Sequence, residues 1–157
     1  MTRRVVGPLR ILLALAFAVL VVAQLVFLPA LLAAMAEDSP ELAYLRWPTL
    51  TVAVLGLGCV QVVIVCTWKL LTLVEDDRIF SEASLVWVNA IIGAIAAAWV
   101  LLLGTFVWSV VRVGLPGPPA VLLLMLVAVA VLGLLMVVMR ALLRQATTLR
   151  TDMEAVI

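Results

Sequence analysis

Five of the chain's 19 charged side chains fall within the eight positions of "EDDRIFSE": Glu75, Asp76, Asp77, Arg78 and Glu82. Three adjacent carboxylates are the type of group that takes a hard divalent cation. A calcium site, however, draws about six or more oxygens from a shaped loop, and neighbouring side chains on a short connection diverge. A solvated acidic turn is therefore expected, and no metal is assigned. The rest of the chain offers catalysis little. It has no histidine, so it has neither an imidazole base nor an axial histidine for haem. Cys59 and Cys66 would lie about 10 Å apart along one helix. That is too far for a mutual disulfide, and they read as small apolar residues. No catalytic residue, cofactor or enzyme activity is expected, and no direct contact with nucleic acid.

Three amides stand out against a chain that is 68% hydrophobic: Gln24, Gln61 and Asn89. They occupy long stretches without formal charge: 26 residues between Arg10 and Glu37, 22 between Arg46 and Lys69, 29 between Glu82 and Arg112, and 27 between Arg112 and Arg140. About 20 apolar residues in a helix cross the hydrocarbon layer of a bilayer, and a helix satisfies its own backbone there. The fold class is thus an all-α membrane protein. We read it as a single integral membrane domain over 1–157, with spans near 8–35, 49–74, 82–111 and 119–142 and a tail over 143–157. Ala34-Met35-Ala36 imitates a signal-peptidase site, but a signal peptide's apolar region is usually about 7 to 15 residues. The first span is expected to stay.

Lysine and arginine set orientation, while Asp and Glu contribute little. Arg3, Arg4, Arg10, Lys69, Arg78, Arg140, Arg144 and Arg150 fall on one side, against Arg46 and Arg112 on the other. This places both termini and the acidic connection in the cytosol. Short links predict an up-down-up-down antiparallel bundle. Gln24 and Gln61 then meet near mid-membrane, where an interhelical hydrogen bond is worth about 0.6 to 2 kcal/mol. Thr67 and Asn89 are expected to bond between helices as well. Ala90, Ala94 and Ala98, with Gly93 and Ala97 alongside, form a small-residue seam suited to close helix approach.

Local signals shape the ends. Pro8 suits a first helical turn, and Pro29 should disturb the far part of the first span. Tyr44 and Trp47 are placed for the headgroup layer. Ser81 is an N-cap for the third span, with its hydroxyl available to Ala83 or Ser84. Beyond Arg140, Leu142, Ala146, Leu149, Met153 and Val156 make an apolar stripe, while Arg150 and Glu154 stand at i and i+4. Such a tail could dock on the acidic connection, pair with a second copy or lie on the membrane.

The stretch "RIFSEAS" and the closing "LRTDMEAVI" resemble a family of small four-span bacterial membrane proteins, domain-of-unknown-function family 2975. The resemblance implies the bacterial cytoplasmic membrane. It also implies a cytoplasmic helix-turn-helix regulator as a partner, and no enzyme activity. The family's basic positions after Phe-Ser are Leu85, Trp87 and Asn89 here. Two functions follow. In the first, Glu75, Asp76, Asp77, Phe80, Arg140, Arg144, Leu149 and Met153 form a partner-binding face on the lipid-embedded protein. In the second, several copies form a homo-oligomeric transporter or channel, with Gln24, Gln61 and Asn89 along its path.

Overall fold

The computed structural model describes the backbone of residues 2–114 and 117–156, with side chains except at 2, 3, 113 and 118. Among these residues the chain is helical and has no strand. It runs through α1 (Thr2–Val22), a π-helical turn (Ala23–Phe27), α2 (Leu28–Asp38), a 3-10 turn (Pro40–Leu45), α3 (Arg46–Glu75), α4 (Glu82–Val113) and α5 (Pro118–Val156). Four helical stretches are long and apolar enough to cross a membrane: Arg4–Asp38, Pro40–Glu75, Glu82–Arg112 and Pro119–Val156. The connection before the fourth falls partly outside the described residues, at Leu115 and Pro116.

Two local expectations are corrected and a third, the disturbance at Pro29, is located. Helix α1 begins at Thr2, so Pro8 lies inside it and not in its first turn. Only the bond to the Arg4 carbonyl is forfeited, so close to the helix start that water or headgroups can replace it. The disturbance near Pro29 is a widened turn just before it, where the Leu28 N–H donates to the Ala23 carbonyl. Proline has no N–H and its ring crowds the carbonyl four residues back; an i to i−5 turn relieves both constraints. The link between the first two spans is itself helical over Pro40–Leu45, and α3 starts at Arg46, earlier than the expected 49.

The helices pack as a row and not as a closed bundle. Helix α1 packs on α3, α3 on α4 and α4 on α5; no other pair of these long helices meets more than in passing among the described residues. The accessible surface of 10764 Å² compares with about 7,700 Å² for a compact water-soluble monomer of this mass. Lipid can cover apolar faces that water would penalise, so an open row survives where a soluble bundle would have to close.

Helix α4 is the middle of the packed part. Ser84, Val88 and Ile91 are buried along it, and Ile95 continues that line at i+4. Of the expected small-residue seam, Ala90, Gly93 and Ala97 are exposed, while Ala94 and Ala98 are half-buried. The close approach is supplied by α5: a Cβ on Gly133 would sit 3.3 Å from Ile95 Cγ2. In a chain that is apolar all round, shape selects the contacting face and hydrophobicity does not.

Candidate functional site at the charged end

The reversal between α3 and α4 is built on hydrogen bonds. The Arg78 N–H donates to the Leu73 carbonyl at 2.8 Å and the Asp77 N–H to the Val74 carbonyl at 3.2 Å. This is the paired capping pattern that closes a helix C-terminus with one left-handed residue. That residue is Asp77, at φ 56, a conformation the short Asp side chain tolerates better than most. Ser81 holds the extended N-cap position of α4 but caps nothing through its side chain. Its hydroxyl donates to the Arg78 carbonyl at 2.5 Å, and the Ser84 hydroxyl donates to the Ser81 carbonyl at 2.7 Å. The expected cap is thus replaced by two bonds that fold the connection onto itself.

The tail of α5 meets this reversal through its polar face. Thr147 is buried. Arg150 lies 3.9 Å from the Asp77 carboxylate and 3.5 Å from Glu154, and its guanidinium donates to the Asp77 carbonyl at 3.4 Å. A cavity of about 340 Å³ sits between them, lined by Asp77, Phe80, Glu82, Thr147, Arg150 and Glu154 among others. The apolar stripe points elsewhere: Leu149 and Met153 are 63% and 68% exposed, and Leu142 and Val156 are exposed too. Contact with the acidic turn is therefore made by Arg150. Arg140 and Arg144 form no ion pair among the described residues and line a separate cleft further down α5.

Glu75 goes to a different partner. Arg10 of α1 bridges to it at 2.9 Å, with both side chains about 30% exposed. The same guanidinium donates to the Thr72 hydroxyl at 3.1 Å and stands 5.8 Å from the Trp68 ring centre. Sequence reasoning missed this cluster, although a signal was present. Arg10 is the last charge before the first apolar run, and Glu75 closes the span that follows. Asp76 caps α3 through its N–H and is exposed.

Deeper in the same interface, Gln61 Nε2 donates to Gln24 Oε1 at 2.8 Å, and Gln24 Nε2 donates to the Val54 carbonyl at 3.1 Å. Gln24 to Gln61 and Arg10 to Glu75 share a single register, each pair lying 14 residues from the other along both helical segments. The other intramembrane expectations are corrected. Thr67 bonds its own helix, at the Val63 carbonyl. Asn89 is exposed and has no hydrogen-bond partner among the described residues, because the packed face of α4 runs through Ser84, Val88 and Ile91. Both cysteines are free. No group of three or more His, Cys, Asp or Glu among the described residues is arranged to hold a metal.

A family model described as "Protein of unknown function (DUF2975)" matches residues 30–157, most of the chain. The chain belongs to that family. The match takes in the acidic reversal, the whole of α5 described above and three of the four apolar stretches in full. No curated protein matches this DUF2975 member, and no solved structure does.

Proposed function

We propose that this DUF2975 protein is a small non-enzymatic protein of the bacterial cytoplasmic membrane that presents its acidic hairpin and amphipathic tail to a protein partner. In this reading the four spans alternate in direction and both termini face the cytosol. The reading is carried by the exposure of Leu149 and Met153 on a part of α5 that also bears Arg144, Arg150, Asp152 and Glu154. Charges so frequent exclude that segment from hydrocarbon, and large exposed apolar side chains outside lipid mark contact surfaces. The neighbouring carboxylates suit a basic partner, for which a cytoplasmic helix-turn-helix regulator is the candidate. Exposed ion pairs contribute only about 0 to 1 kcal/mol each, so Leu149 and Met153 supply most of the affinity and Asp76 and Asp77 the selectivity.

The test is crosslinking in intact membranes followed by affinity capture. A discrete soluble protein should be joined to the wild type and lost both in Leu149→Gln/Met153→Gln and in Asp76→Asn/Asp77→Asn. Equal capture by all three proteins would overturn the reading. A transporter assembled from several copies draws support from Asn89, which is uncovered in a single chain. The two glutamines weigh against it, since each is engaged by the other. Flux into proteoliposomes that disappears in Gln61→Leu would restore it.

A further inference from the structure

We infer that Arg140 and Arg144 bind the phosphate of an anionic phospholipid at the level where α5 leaves the bilayer. The two arginines stand at i and i+4 on one helix, and like charges at that spacing repel. No Asp or Glu occurs between Arg112 and Asp152, so α5 offers neither of them an acid within a turn. Of the hairpin's acids, Glu75 is engaged by Arg10 and Asp77 by Arg150, and among the described residues neither Asp76 nor Glu82 pairs with Arg140 or Arg144. Two cations without a counter-charge among the described residues call for an anion from outside the chain.

The surroundings specify which anion. Arg140 is the first charge after the 27-residue apolar run of α5, which sets it at headgroup depth. Arg140 and Arg144 flank a cleft of about 630 Å³ that also takes in Val137, Ala141, Gln145 and Leu149. Below it, on the cleft's side of α5, Leu123, Val127, Leu134 and Val137 are exposed and offer an apolar track for acyl chains. Phosphate above and hydrocarbon below is the chemistry of a phospholipid. Basic residues beside membrane helices bind anionic headgroups in this way, and arginine forks match phosphate oxygens. The inference requires the four spans to lie in a bilayer. It depends on neither a protein partner nor the orientation of the termini.

The experiment is native mass spectrometry of the full chain released from nanodiscs holding phosphatidylglycerol and phosphatidylcholine in equal amounts. Wild type should retain phosphatidylglycerol preferentially, and Arg140→Gln/Arg144→Gln should lower that retention by about tenfold or more. Arg78→Gln, which removes a charge at the same end, should leave it unchanged. If the double variant does not fold, the wild type still decides the matter, since equal retention of the two lipids would overturn the inference. An equal loss in Arg78→Gln would reduce it to general surface charge. Displacement of the lipid by millimolar inorganic phosphate would assign the arginines to a free anion and overturn it as well.

Discussion

The two ends of the molecule use the same residue types differently. At one end Arg46 lies 5.6 Å from the Trp47 ring and Arg112 5.9 Å from the Trp108 ring, each on its own helix. Neither forms an ion pair among the described residues. At the other end Arg10 reaches across to Thr72 and Glu75, and Arg150 across to Asp77. The first arrangement is that of side chains resting at the headgroup layer, where aromatic rings and long basic stems both find partners. The second joins separate elements and makes tertiary structure outside the hydrocarbon. In an open row of helices, the charged end does the work that ring closure does in a soluble bundle.

The largest effect should come from the reversal itself. Asp77→Val places a β-branched residue at φ 56, where the strain is worth about 1 to 3 kcal/mol; Asp77→Gly should keep the turn and its carbonyl while losing the carboxylate contact to Arg150. Unfolding of the reconstituted protein by titrated denaturing detergent would separate the two. Next comes the Arg10–Glu75 bridge. A double-mutant cycle with Arg10→Gln and Glu75→Gln should give a coupling of about 1 kcal/mol in the same assay. A coupling near zero would make the two ends alike.

The Gln24–Gln61 bond lies between the ends. Gln61→Leu should cost about 0.6 kcal/mol, less than the bridge, because Gln24 keeps the Val54 carbonyl. The smallest effect is expected at the aromatic end. Arg46→Gln should change stability by about 0.5 kcal/mol, and a loss as large as that at Arg10 would erase the contrast.

These effects also mark how much the sequence could disclose. Four charge-free runs were enough to find four long apolar helices, since that depends only on length and polarity. The register of Gln24 against Gln61 was legible too, because amides at membrane depth have few partners to choose from. The packed faces were not. In α4 the small residues at 90, 94 and 98, with 93 and 97 alongside, suggest a seam, yet the buried positions are Ser84, Val88 and Ile91. Where nearly every side chain is apolar, periodicity carries no direction, and fit decides. Nor could spacing foretell that the Ser81 hydroxyl would turn back to Arg78, a choice between competing bonds within one short turn. The pairing of Glu75 with Arg10 is signalled by their places at the ends of consecutive apolar runs, whereas that of Asp77 with Arg150 depends on where the tail of α5 lies in space, which no local pattern encodes.

The proposed function requires the charged end to face the cytosol and the aromatic end to face away. Single cysteines at Tyr44 and Asp76, in a chain with Cys59 and Cys66 replaced by alanine, can be probed with a membrane-impermeant maleimide. The account predicts labelling of Tyr44→Cys from outside the cytoplasmic membrane, and of Asp76→Cys only after that membrane is opened. Labelling of Asp76→Cys in sealed cells would contradict it.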